Sequence, residues 1–117
     1  MVTVKLTAAT ICFLQACYPA LVGKPNSVTP LGEYQLVQRF TEQAGYDGDV
    51  LQFHETEEQV YSIHRVWLLR PEQKRLQRLA SKKVNDRLIT SGCINVSPDV
   101  YEQLIDCCKD ATLVIER

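Results

Sequence analysis

The feature that most limits how this chain folds is its punctuation by proline and glycine. Its apolar segments are cut at Gly23-Lys24-Pro25-Asn26-Ser27, at Thr29-Pro30-Leu31-Gly32 and at Gly45-Tyr46-Asp47-Gly48-Asp49. Proline fixes φ and removes an amide donor, while glycine opens conformations closed to other residues, so each cluster forces a turn. The pieces left between the turns are apolar, aromatic and β-branched, as in Val50-Leu51-Gln52-Phe53 and Gln59-Val60-Tyr61-Ser62-Ile63-His64, and such pieces read as short strands. Near the N-terminus Val2, Val4 and Leu6 alternate with Thr3, Lys5 and Thr7, and Ile11 and Phe13 continue the pattern, which is the period of a half-buried strand.

Beyond Ile63 the period changes. Residues 70–83, "RPEQKRLQRLASKK", put Pro71 near a helix start, with Leu76, Leu79 and Ala80 on one face and Lys74, Arg75, Arg78, Lys82 and Lys83 around the rest. This predicts a basic amphipathic helix with a solvated charged face. A second helix is predicted after Ser97, an N-cap residue, with Pro98 in the first helical position and Asp99 near the positive end of the dipole. Val100, Leu104, Ile105 and Cys108 then share a face, and residues 111–116, "ATLVIE", close the chain as a strand. A chain of 117 residues holds one core. The expected architecture is therefore a single domain, residues 1–117, mainly β (a β-rich α+β fold) with two helices.

A net charge of -1 supplies no global attraction to nucleic acid or an anionic membrane, and no apolar run nears the roughly 18 residues of a membrane span. The opening "MVTVKLTAATICFLQAC" also admits a weak export-signal reading, with Lys5 as its charge and Cys17 closing a lipoprotein-like cleavage box. Its alternation favours a strand. Five cysteines, Cys12, Cys17, Cys93, Cys107 and Cys108, form an odd set without CxxC spacing, and only His54 and His64 accompany them. Neither a metal site nor a cofactor is expected.

Cys93 lies in Thr90-Ser91-Gly92-Cys93-Ile94-Asn95-Val96. A nucleophilic cysteine needs a base and donors aimed at the developing oxyanion. Gly92 allows a tight turn at the thiol, and the N–H groups of Gly92 and Cys93 together are candidates to face a substrate carbonyl oxygen. His64 ends a predicted strand, where its ring can enter a cleft, and its ordinary pKa suits proton transfer. His54, the rival base, precedes an acidic turn. The bland readings are a core thiol and a histidine satisfied by a backbone carbonyl.

Taken in order, "TPLGEY", "SIHRVW" and "TSGCINV" resemble the catalytic domain of the L,D-transpeptidases, enzymes that remodel peptidoglycan through a cysteine. The resemblance runs from about Cys17 to the C-terminus. It implies an L,D-transpeptidase-like β-sandwich in which Cys93 is the nucleophile, His64 its base and Gly92 part of the oxyanion hole. Asn95 would shape the motif or contact substrate, with Ser91, Thr90 and Arg65 also placed at the substrate. The implied chemistry attacks the carbonyl of the dibasic third residue of a stem peptide, releases D-alanine and leaves a thioester. An amine then takes the acyl group (transpeptidase), or water does (L,D-carboxypeptidase). Carbapenem-type β-lactams are an implied inhibitor class, and the implied place of action is the periplasm or cell wall.

Three departures set this chain apart from the family pattern. Ser91 stands where many members carry a second histidine, Arg65 follows the histidine where glycine or serine is common, and the basic segment lengthens the path from His64 to Cys93. Stem peptides carry carboxylates, for which Arg65, Arg70 and Arg87 are candidate partners, though a solvated surface role is the default for each, and Trp67 is a candidate cleft wall for which a partly buried core position is the default. Outside the cytoplasm one thiol would stay free while the other four either pair or stay buried as thiols; of the possible bridges, one from Cys107 or Cys108 to Cys12 or Cys17 is favoured over Cys107–Cys108, since adjacent cysteines seldom bond. Two other roles fit the same residues: a secreted antibacterial effector, with an immunity protein as partner, and a catalytically silent module that binds wall peptides.

Overall fold

The computed structural model describes residues 1–117, all of the chain. Eleven strands and two helices follow in the order β1 (Val2–Lys5), β2 (Thr10–Phe13), β3 (Ala16–Pro19), β4 (Val22–Gly23), β5 (Gly32–Gln35), β6 (Val37–Phe40), β7 (Asp49–Glu55), β8 (Val60–Arg65), α1 (Arg75–Leu79), β9 (Leu88–Thr90), β10 (Ile94–Val96), α2 (Pro98–Cys108) and β11 (Thr112–Glu116). One sheet runs β3-β2-β1-β11-β5, a second runs β10-β8-β7-β6, and β4 pairs with β9. The mainly β fold expected from the turn punctuation forms, and it takes the sandwich arrangement that the resemblance implied.

The alternation in the sequence becomes the two faces of each strand. In β1 Val2 and Val4 are buried, and in β7 the buried positions are Asp49, Leu51 and Phe53. A continuous core joins Val2, Val4 and Ile11 of the first sheet to Leu51, Ile63 and Ile94 of the second, with Val100, Tyr101 and Leu104 of α2 packed among them. The α2 start follows the sequence: Pro98 opens the helix, and the Ser97 side chain accepts a hydrogen bond from the Val100 N–H at 3.2 Å.

Two expectations fail. The basic segment does not form one helix. It breaks into a 3-10 turn at Pro71–Gln73, the five-residue α1 and a second 3-10 turn at Val84–Arg87, with Lys74 in the left-handed region at φ 52. Only Leu79 of its apolar face is buried, against Leu21 and Val66, while Leu76 is exposed. One anchor residue is too little apolar area to hold a longer helix. The cysteine pairing also differs. Cys12 bonds Cys17 and Cys107 bonds Cys108, so no bridge links the two pairs. The β2–β3 turn at Leu14 and Gln15, both at positive φ, fixes a hairpin register in which Cys12 faces Cys17 directly.

The second sheet is tied to α2 by one polar cluster. Asp49 Oδ1 accepts from Arg65 Nη1 at 2.9 Å, and its Oδ2 accepts from Gln38 Nε2 at 2.9 Å and from the Tyr101 hydroxyl at 3.0 Å. The Arg65 guanidinium lies over the Tyr101 ring, 4.3 Å from its centroid, and also donates to Glu102 at 2.7 Å. Burial pushes the Asp49 carboxyl upward, but hydrogen bonds from Gln38, Arg65 and Tyr101 outweigh it and hold the carboxyl below the usual range.

The two ion pairs of Arg65 differ in exposure, since the Asp49 side chain is 10% exposed and that of Glu102 59%. Asp49→Asn is expected to destabilise the fold by about 3 kcal/mol, because it strips the partner from a largely buried cation. Glu102→Gln is expected to cost less than about 1 kcal/mol, as exposed pairs do. Urea denaturation of both variants checks the ranking, and equal losses would show that the cluster does not tie the sheet to α2.

Candidate active site

The site is a consequence of one strand pairing. β10 runs parallel to β8 with Ile94 opposite Ile63, Asn95 opposite His64 and Val96 opposite Arg65. One step back along that ladder brings Cys93 level with Ser62. Paired residues of parallel strands project to the same side and successive residues alternate. Ile63 and Ile94 therefore enter the core, while Cys93 and His64 leave on the other face.

The turn that carries Cys93 is held by four hydrogen bonds from three side chains. Thr90 Oγ1 donates to the Cys93 carbonyl at 2.6 Å and accepts from the Gly92 N–H at 3.1 Å. Thr29, from the threonine-proline turn, donates to the Gly92 carbonyl at 2.9 Å, and Gln59 Nε2 donates to the Ser91 carbonyl at 2.9 Å. Gly92 has φ +124, and a Cβ there would lie 2.5 Å from Tyr61 Cε1, so only glycine fits. Its N–H is committed to Thr90, which corrects the expectation that Gly92 offers an oxyanion donor. The Cys93 N–H has no acceptor within the protein.

His64 is 3% exposed, and its Nδ1 lies 2.8 Å from the Arg65 carbonyl oxygen. A carbonyl only accepts, so Nδ1 carries the proton and Nε2 keeps its lone pair. Burial lowers the His64 pKa to about 4, with the nearby Arg75 charge acting the same way against the opposing Arg65 carbonyl. Burial also pushes the Cys93 thiol upward, opposed by the Ser62 backbone and by Arg75. At rest the pair is therefore a neutral imidazole and a neutral thiol, with Sγ 3.7 Å from the Val60 carbonyl oxygen.

Two cavities, of about 280 and 230 Å³, meet at Cys93, His64, Val60 and Tyr46. The larger also takes in Trp67, Arg75, Thr90 and Ser91; the smaller takes in Thr41, Gln43, Val50 and Ser62. Ser91 and Thr90 line the cleft, as does Trp67, for which a partly buried core position was the preferred expectation. Asn95 and Arg65 do not. Asn95 is fully buried beneath it, its Oδ1 accepting from the Trp67 N–H at 3.1 Å and from Arg75 Nη1 at 2.9 Å. It shapes the site from below and cannot touch substrate. Arg65 turns away to Asp49 and Glu102, so the expectation that it meets substrate is corrected by its two ion pairs.

The other arginine candidates fare similarly. Arg87 is buried, donating to the carbonyls of Ala8, Ala9 and Ser81, and Arg70 is exposed outside the cleft. The rival base His54 lies between the Tyr34 and Tyr61 rings and lines neither cavity. A larger apolar cavity, about 500 Å³ and lined by Val22, Val28 and Leu88 among others, contains no nucleophile or base.

No protein-family model matches the chain. No curated protein matches it either. Solved structures do. An L,D-transpeptidase 3 from Mycobacterium tuberculosis carrying a faropenem-derived adduct superposes with a TM-score of 0.71 at 12% identity, covering 99% of this chain and 59% of that one. An L,D-transpeptidase from Mycobacterium tuberculosis H37Rv gives 0.66 at 15% identity, with 99% and 57% covered. One from Mycobacterium smegmatis gives 0.61 at 18% identity, with 99% and 58% covered. The chain has the L,D-transpeptidase catalytic-domain fold. It spans less than two thirds of the length of each of these solved chains.

On this L,D-transpeptidase fold, sequence reasoning missed two cleft residues. Tyr46 packs edge-on against the His64 ring, with centroids 4.8 Å apart. It comes from the glycine turn between β6 and β7, where its aromatic character carried no positional signal. Arg75 reaches the cleft from the basic segment, and nothing in its spacing separated it from the other basic residues there.

His64 makes a signature in stability. Its pKa is about 4 in the fold against about 6.5 unfolded. As pH falls through that interval the unfolded chain gains a proton that the fold refuses. Wild-type stability should therefore decline from about pH 6.5 to about pH 4, by roughly 3 kcal/mol from this group, and level off from it below. Chemical denaturation across pH should show that slope in wild type and its absence in His64→Gln; an unchanged slope in the variant would refute the buried neutral imidazole.

Proposed function

We propose that this domain is a peptidoglycan-modifying cysteine acyltransferase, an L,D-transpeptidase, an L,D-carboxypeptidase or both. It attacks the stem-peptide bond before D-alanine and forms a thioester on Cys93. The observation that carries this reading is that the only free thiol, Cys93, opens into the same two cavities as His64, whose Nε2 lone pair is left available by the Arg65 carbonyl.

In the proposed reaction, peptide binding excludes water from the cleft and His64 Nε2 takes the Cys93 proton. The sulfur bonds to the carbonyl carbon, and the Cys93 N–H, free of protein acceptors, faces the oxyanion. Collapse breaks the C–N bond, and the imidazolium returns its proton to the leaving amine. An amine or water then cleaves the thioester by the reverse sequence. Two adjoining cavities leave room for the acyl portion on one side of Cys93 and for the leaving residue, then the acceptor, on the other. Pairing of the other four cysteines fits an oxidising compartment such as the periplasm or cell wall, and the faropenem-derived adduct on a structural neighbour supports a β-lactam as probe.

The test is intact mass spectrometry of wild type and Cys93→Ser after incubation with tetrapeptide muropeptides and, separately, with a carbapenem. An adduct on wild type alone, with release of D-alanine from the muropeptide, is expected, and turnover of the muropeptide should fall at least about a thousandfold in Cys93→Ser. A folded, reduced wild type that shows neither adduct nor turnover would overturn the assignment.

A further inference from the structure

The segment that lengthens the path from His64 to Cys93 sends one side chain into the cleft. Arg75 opens α1 and is half-buried, stacked with its guanidinium carbon 5.5 Å from the Trp67 ring centroid. Its Nε donates to Gln73 Oε1 at 2.8 Å and its Nη1 to Asn95 Oδ1 at 2.9 Å. These contacts fix the plane of the guanidinium, yet they are all neutral. The ion pairs of the protein belong to Arg65 alone, and no aspartate or glutamate lines either cavity at Cys93. Arg75 is thus a pre-oriented cation without an anionic partner, in a cavity it shares with the thiol. A partly buried charge left in this state favours a ligand that neutralises it.

Of its five N–H donors two are used within the protein, and a guanidinium with free donors suits a carboxylate better than any neutral group. The cavity that holds both Arg75 and Cys93, about 280 Å³, accepts a group the size of one small residue. We propose that Arg75, delivered to the cleft by the inserted segment, is the side chain that binds the terminal carboxylate of the residue that leaves. This rests on the stem-peptide reading of the same site and assigns its recognition of a free carboxyl terminus to one residue, so that a donor ending in an amide loses a contact made by Arg75. The bond that breaks joins the attacked carbonyl carbon to the nitrogen of that terminal residue. It departs as a free amino acid, taking the proton that His64 received from Cys93.

The test compares kcat/KM for a tetrapeptide ending in D-alanine with that for the same peptide ending in D-alanine amide, using wild type, Arg75→Gln and Arg75→Lys. Wild type should prefer the acid by roughly ten- to a hundredfold, the range of a charge-assisted hydrogen-bonded contact. Arg75→Gln should bring the acid-to-amide ratio close to one, through a rise in KM for the acid beyond any loss common to both peptides from removing the charge beside Cys93, and Arg75→Lys should keep part of the preference. Equal loss on both peptides in Arg75→Gln would show that the residue acts on the thiol or the fold and would overturn the assignment. The wild-type ratio needs no variant, so a poorly folded Arg75→Gln leaves the test decisive. Wild type that cleaves both peptides equally overturns the carboxylate assignment alone, whereas wild type that cleaves neither overturns the stem-peptide reading and this one with it.

Discussion

The parallel hydrogen bonding of β10 to β8 places Ile94 beside Ile63 and Asn95 beside His64, and both the core and the site follow from that register. One face of the ladder sends isoleucines between the two sheets. The other carries the thiol and the imidazole, contributed by residues far apart in sequence and brought together by backbone geometry. A slip of one residue would exchange the two faces, burying the thiol in the core and exposing isoleucine. The apolar core thus enforces the register on which the proposed chemistry depends.

What surrounds the pair is a set of polar groups hydrogen-bonded to one another. Thr90 and Thr29 hold the turn at Gly92, Asn95 supports Trp67 and Arg75 from below, and the Arg65 carbonyl fixes the tautomer of His64. Arg65 serves both layers: its backbone orients the base, while its side chain binds Asp49 and the carbonyls of Tyr46 and Asp47. The Tyr46 turn that packs on His64 is therefore anchored to the same cluster that joins the second sheet to α2. Hydrogen bonds of this kind hold a site rigid before any ligand arrives, while Asn95 Nδ2 and Trp67 Nε1 stay buried without a partner.

Much of this was legible from local chemistry. The turn clusters, the alternation in β1, the Ser97-Pro98 helix start and the closing strand each depend on neighbours in sequence, and each formed where its residues indicated. The candidate pair of Cys93 and His64 was legible from its motifs, and the structure brings the two to the same cavities. The basic segment was misread because its charge and spacing are those of a helix, whereas its length as a helix depended on how many apolar side chains found partners, and only Leu79 did. Arg65 was misassigned on its adjacency to His64, although successive residues of a strand alternate and a neighbour of His64 in β8 leaves on the opposite face.

The sequence by itself determined the class of fold and the chemical types present in the cleft, because these follow from the period of its apolar residues and from residue identity. Tertiary structure alone decided which arginine faces the cleft, which cysteines pair and which amide remains free for an oxyanion. Those outcomes depend on distances between residues remote in the chain. Asp49 and Glu102 capture Arg65, backbone carbonyls capture Arg87, and Arg75 is left in the cleft with no acidic group to meet it.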